Sequence, residues 1–132
     1  MATNDRAFIP TTIAVLTVSN SRTEDDDKSR KLLVDRVTES GHQLHEKRIV
    51  RDDIFQIRAA VSSWIAESDV QVVVTTGGTG VTGHDGTPEA VLPLLEKTID
   101  GFGEIFRYLS YDEIGTSSLQ SRALAGVANG TY

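Results

Sequence analysis

No cysteine occurs anywhere in the 132 residues. That excludes disulfides and thiolate metal sites, and it fits a reducing cytoplasm. Long apolar runs are missing too. No window approaches the run of roughly 20 apolar residues needed to span a bilayer. The opening "MATNDRAFIP" lacks a basic region followed by an apolar one. It does not read as a signal peptide, and the expected location is cytoplasmic. Positive charge is scarce: 13 Lys and Arg face 19 Asp and Glu, for a net charge of -6. This argues against duplex nucleic acid as the main partner, because such binding needs clustered cations to displace counterions. Internal repeats and Pro/Ser-rich linkers are absent. The length suits one domain over residues 1–132, with a real core, but not two.

What is present alternates between strand and helix. "TTIAVLTVS" (11–19) reads as a buried strand rich in β-branched residues. The charge run 22–28, "RTEDDDK", reads as a solvated loop leading into a helix, its acids near the positive helix end. In that helix (29–41), Leu33 and Val37 share one face and Gly41 is a stop. "QLHEKRIV" (43–50) is a second strand. Residues 53–68 form the clearest helix, with Ile54, Ile57, Val61, Trp64 and Ile65 in one stripe. Trp64 therefore reads as core. "VQVVVTT" (70–76) suits a central parallel strand covered on both faces. Thr87 as N-cap and Pro88 at the first helical position open another helix, which Pro93 should kink or interrupt. Asp100 ends that stretch. Residues 101–115 place Phe102, Ile105, Phe106 and Leu109 on one helical face. Residues 118–126 read as a short helix, and 127–132 as a turn or the start of a strand. Alternation of this kind predicts a three-layer α/β/α fold around a mainly parallel sheet. Ligands on such sheets bind outside the carboxyl ends of the strands. The loops at Ser19-Asn20, Arg51-Asp52 and the glycine-rich stretch after residue 76 converge on that edge.

That stretch, "TTGGTGVTGHDGTPEA" (75–90), contains Gly78-x-Gly80-x-x-Gly83. A dinucleotide fingerprint leads directly into a helix, after the first strand of its unit. Here the helix starts several residues late and the strand is the third. A Walker loop needs Lys-Ser/Thr where this chain has His84-Asp85. What survives is a nest: Thr76, Gly77, Gly78, Thr79 and Gly80 supply successive N–H groups without Cβ obstruction, suited to a phosphate. Asp85 beside such a cradle repels the phosphate unless a cation stands between, and magnesium is the economical choice. Equally, Asp85 can cap the turn that follows. Asp53 and Gln56 resemble a capping box, which leaves Asp52 as the better chemical candidate on the binding edge. His42 and His45 read as surface positions. Nothing in the sequence demands a role for His84.

"TVSNSR", "VVVTTGGTGVTGHDGTPEA", "GFGEIFRYLSYDEIG" and "SSLQSRALAG" occur in the order found in the MoaB/MogA family of molybdenum-cofactor biosynthesis proteins, and the chain resembles its MoaB branch most. The likeness runs from Ile9 onward. It implies a molybdopterin-binding-like fold and a trimer or hexamer with a pterin pocket at the strand ends. It also implies cytoplasmic work alongside other proteins of that biosynthesis. Active members join AMP from ATP to the terminal phosphate of molybdopterin, with magnesium, releasing pyrophosphate. Carried over by position, Asp52 and Asp85 match the acids tied to activity and are the candidate magnesium ligands. Thr76, Gly77, Gly78, Thr79 and Gly80 match the ligand loop, Ser19 and Asn20 the turn after the first strand, and Glu104, Ser121 and Arg122 pocket-lining segments. A non-catalytic oligomeric pterin-binding protein is the alternative.

Two departures bear on this. The adenylyltransferase branch usually has Asp where this chain has Asn20, so one charge and one potential metal ligand are lost. The family also continues past the position of Tyr132 with a strand, a Pro-Gly turn and a helix, so the chain is expected to lack its last strand and helix. On a small sheet the face carrying Phe102, Ile105, Phe106 and Leu109 can dock inward. Tyr108, Tyr111 and Ile114 would then stay near the surface as an interface.

Overall fold

Strand β1 (Thr12–Val18) lies at the centre of the sheet. The computed structural model describes residues 7–20 and 24–132. Successive strand side chains point to opposite faces, and β1 is apolar on both. Ala14, Leu16 and Val18 pack with Ile57, Ala60, Val61 and Trp64 of α2 (Ile54–Ala66). Ile13 and Val15 pack on the other side with Val37 of α1 (Glu24–Glu39). The flanking strands β2 (Gln43–Val50) and β3 (Val72–Thr76) both run parallel to β1, in the order β2-β1-β3. The expected α/β/α layering is thus present, one helix on each face of the sheet.

The run 70–76 reads as a central strand, but β3 flanks β1 and is only half-buried. Its apolar character has the inferred cause all the same. Val73 packs toward α2, while Val72 and Val74 pack toward α1. On its outer edge, Tyr132 donates its N–H to the Gln71 carbonyl and accepts from the Val73 N–H, the pattern of a parallel neighbour.

Several boundaries differ from expectation. Helix α1 begins at Glu24, so most of the acidic run is helix and not loop; Arg22 and Thr23 lie outside the described residues. Acids favour the first turn of a helix as much as the approach to it. Helix α3 (Thr87–Val91) has Gly86, not Thr87, at its N-cap. The Thr87 hydroxyl instead donates to the Gly77 carbonyl. Pro93 interrupts the helix as expected, and Leu92–Leu94 tighten into a 3-10 turn. Asp100 opens helix α4 (Asp100–Ile114) and does not end the preceding stretch. Between them lies a short strand that the sequence does not announce, β4 (Lys97–Thr98), antiparallel to β5 (Gly126–Val127). The expected helix over 118–126 is a 3-10 helix, Gly115–Gln120, followed by extended chain. Asn129 and Gly130, both at positive φ, make the expected closing turn.

Helix α4 departs most. Phe102 is 45% exposed, Ile105 60%, Phe106 44% and Leu109 60%, so the apolar face does not dock inward. Only Gly103 is buried. The helix packs chiefly on the 3-10 helix that follows it. No described helix is long and apolar enough to cross a membrane.

Trp64 is fully buried, as its place in the α2 stripe implies. Its Nε1–H donates to the Glu46 carboxylate at 2.9 Å, and the Arg48 guanidinium sits 5.0 Å from the ring centroid. The bond from Trp64, then those from Arg48, hold the Glu46 carboxyl below its ordinary pKa.

Neighbouring positions in β1 should respond oppositely to truncation of their side chains' distinctive groups. Leu16 is fully buried, so Leu16→Ala should cost about 2–5 kcal/mol. The Thr17 hydroxyl is buried with no hydrogen-bond partner among the described residues. Thr17→Val should therefore be neutral, or stabilising by up to about 1 kcal/mol. Denaturant midpoints measured at constant m-value would check both.

Candidate functional site

The site is built where three strands end. After β1, Ser19 donates its N–H to the Val50 carbonyl, tying the first turn to the end of β2. Asn20 follows, and its Oδ1 accepts the Asp52 N–H at 3.0 Å. The side chain of Asp52 then reaches across to the third loop, where its Oδ1 accepts the Gly86 N–H at 3.0 Å. Asp53 caps α2 by accepting the Gln56 N–H, the capping role expected of it.

The glycine loop itself is fixed by its carbonyls. Gly77 O accepts the Thr87 hydroxyl and Gly78 O the Thr87 N–H. Thr79 O accepts the Arg122 N–H, and Gly80 O accepts Arg122 Nε. Every peptide bond in the described chain is trans. In a trans peptide, C=O and N–H point in opposite directions. Pinning these four carbonyls therefore turns the N–H groups of Gly78, Thr79, Gly80 and Val81 away from their anchors. Gly78 sits at φ +72, and a Cβ there would lie 2.3 Å from the Thr87 hydroxyl and 3.0 Å from Asp52 Oδ2. No other residue fits that turn.

Loop residues face two ways. Gly78 and Gly80 point at Asp52 and Asp85. Gly77 and Thr79, with Thr76 and Thr87, line the polar end of a cavity of about 840 Å³ that runs along β3 toward Phe102 and Phe106. Neither Asp52 nor Asp85 lines that cavity. The loop is a wall between an apolar groove and an acidic edge.

Asp85 closes a turn, the role left open beside metal binding. Its Oδ2 accepts both the Thr82 N–H at 2.9 Å and the Thr82 hydroxyl at 2.7 Å. The hydroxyl bond, then the backbone bond, hold its carboxyl below the ordinary value; Gly80 N–H and Arg122 add to this. Arg122 carries four bonds from its guanidinium: to Gly80 O, to Asp85 O at 2.6 Å, and two to the Glu89 carboxylate, the shorter at 2.6 Å. The Glu89 carboxyl is lowered chiefly by that bond, and the Arg122 pKa is raised by it.

The remaining expected residues are spread out. Ser121 adjoins Arg122, and its carbonyl accepts Arg107 Nη1. Glu104 is exposed on α4 and joins none of the hydrogen bonds that knit the loop. His84 is exposed; His42 is half-buried and accepts the Thr11 N–H. Among the described residues no three His, Cys, Asp or Glu gather as a metal site. Sequence reasoning missed Glu89, Arg107 and the anchoring role of Thr87. The one available signal was that Thr87 and Glu89 fall within the same conspicuous stretch as the loop.

Molybdenum cofactor biosynthesis protein B of Escherichia coli K12 is 60% identical over 124 residues, covering 94% of this chain and 73% of that protein. A crystal structure of molybdenum cofactor biosynthesis protein B superposes with a TM-score of 0.85 at 45% identity, covering 93% of this chain and 77% of the other. The tungsten cofactor synthesizing protein MoaB from Pyrococcus furiosus superposes at 0.77 with 35% identity, covering 92% and 76%. Residues 14–130 match the family described as "Probable molybdopterin binding domain", and the chain belongs to that family of molybdenum-cofactor biosynthesis proteins.

Proposed function

We propose that the protein binds molybdopterin at the glycine loop and transfers AMP from ATP to its terminal phosphate, in the cytoplasm and with magnesium. One phosphate oxygen of the pterin attacks the α-phosphorus of ATP. The bond from that phosphorus to the β-phosphate bridging oxygen breaks, and pyrophosphate leaves with the electron pair. In such transfers the protein mainly positions phosphates and neutralises charge.

The observation that carries this reading is the imbalance of charge around the glycine loop. Among the described residues, Asp52 and Asp85 are the acids and Arg122 the cation hydrogen-bonded to the loop, and Glu89 pairs with Arg122, which makes a net of two negatives. An anionic ligand cannot sit there unless a cation comes with it. Magnesium is commonly held by one or two carboxylates plus substrate phosphates, so two acids suffice. Asp52 and Asp85 would hold it; when bound, the ion neutralises phosphate charge. Loop N–H groups hold the phosphate, and Asn20 keeps the Asp52 backbone in place. Magnesium-dependent pyrophosphate release that needs both ATP and molybdopterin tests the reading, and a folded protein that gives none overturns it. Asp52→Asn and Asp85→Asn should each lower turnover by about a hundredfold or more while weakening pterin binding far less.

Asn20 favours a second reading, a binding protein without chemistry. Its amide oxygen is already engaged with the Asp52 N–H, so it adds no charge to the acidic edge. Calorimetry without ATP would show pterin binding under either reading. Adenylylation gained by Asn20→Asp supports the second, and an active parent whose activity is unchanged by the substitution refutes it.

The exposed face of α4 supports an interface between copies of the chain, and we propose the trimer or dimer of trimers that the family resemblance implies, with no stable monomer. Light scattering at micromolar concentration should give a multiple of three, and Phe106→Asp should break the assembly.

The Asp85 carboxylate must be ionised to hold a cation, and its environment ensures this. Because its folded pKa is depressed, the turn gains stability that is present above the ordinary value of 3.8 and lost as pH falls through the lower folded value. An NMR titration of Asp85 should give a midpoint below 3.8, moved upward by Thr82→Val.

A further inference from the structure

We infer that Arg122 is a positioning residue for the glycine loop and not a ligand contact, and that Arg107 on α4 holds it in register. The inference rests on the loop being the site of an anionic ligand, not on which reaction follows there.

A guanidinium has five N–H donors. Arg122 uses four of its hydrogen bonds on Gly80 O, Asp85 O and the two oxygens of Glu89. One N–H remains, so it cannot offer the two-pronged fork by which arginine grips a phosphate. Glu89 also neutralises its charge. The Arg122 backbone N–H donates to Thr79 O as well. Everything this residue does is directed at the loop: it pairs the carbonyls of residues 79, 80 and 85 and thereby fixes which way the intervening amides face.

Arg122 is itself clamped. Arg107 Nη1 donates to Ser121 O and Ala123 O, the carbonyls on either side, at 3.2 Å each. That grip exists only because position 103 is glycine. A Cβ there would fall 2.6 Å from Arg107 Nη2 and 2.8 Å from Ala123 O. The chain of contacts runs from Gly103 through Arg107 and the 121–123 backbone to Arg122, and from there to Gly80 and Asp85. Methyl addition at Gly103 should thus be felt at the loop, although Gly103 touches none of it.

The test uses ligand-free protein first. Exchange of the Gly80 amide, which is hydrogen-bonded to Asp85, and the backbone resonances of Gly78 to Val81 are compared in the parent, Arg122→Lys, Glu89→Gln and Gly103→Ala. Circular dichroism confirms folding, and the three variants' separate positions guard against any one failing to fold. Gly80 exchange faster by about tenfold in Arg122→Lys and Gly103→Ala, with shifted Gly78 and Gly80 resonances, is the expected result. Methylguanidinium added to Arg122→Ala should restore the parent resonances. Calorimetry with inorganic pyrophosphate and magnesium should then show weaker binding in the same variants. Weaker binding with unchanged amides in the free protein would make Arg122 a ligand contact and overturn the inference. Unchanged amides and unchanged binding would overturn it too. If the parent binds no pyrophosphate, the ligand reading of the loop fails while the exchange data still decide whether Arg122 holds it.

Discussion

A backbone segment can present its N–H groups to a ligand only if its carbonyls are paired elsewhere. That constraint governs residues 77–80. Buried or half-buried carbonyls without partners cost free energy comparable to a lost hydrogen bond. Here Thr87 and Arg122 accept the task between them, one from the start of α3 and one from the extended chain after the 3-10 helix. Much of the remaining architecture follows from bringing those two residues to the loop. Residues 121–125 stay extended because their backbone groups and neighbours face the loop and α4. Thr87 gives up the N-cap position because its hydroxyl is needed at Gly77.

The same arrangement sets the electrostatics. Arg122 is the cation nearest the loop by hydrogen bonding, and Glu89 neutralises it. Asp52 and Asp85 are then left to give the edge its sign. A site that holds its own cation so tightly must receive the charge balance for a phosphate from outside, which is how magnesium enters the proposed chemistry. The loop's other side is different in kind, an apolar groove along β3. A ligand with a flat organic part and a phosphate would meet both environments, one on each side of the same five residues.

The sheet and its two large helices were legible in the sequence because their signals are local. β1 and β3 are apolar on both faces, α2 repeats at helical spacing, and Asp53 lies three residues before Gln56. The rank of the strands was not legible: β1 and β3 have equally apolar sequences, and which one is central depends on pairing at a distance. β4 has two residues, Lys97 and Thr98, both exposed, and carries no pattern to detect. In α4, periodicity correctly indicated an apolar face but not what lies opposite it. Of the site, the acids and the loop were visible as residue types unusual for their positions. The function of Arg122 was not, because the partners of its guanidinium are 33 to 42 residues away and include main-chain oxygens, which no side-chain motif encodes.

Trp64 is the single tryptophan in the chain, and it lies in the core beneath the sheet, away from the glycine loop. Its indole is sealed from solvent and hydrogen-bonded to a carboxylate, with a guanidinium over the ring. The protein therefore carries an intrinsic fluorophore whose emission reflects the integrity of the α2 face of the sheet. Unfolding of that face exposes the indole, so its emission is an optical signal for loss of the fold.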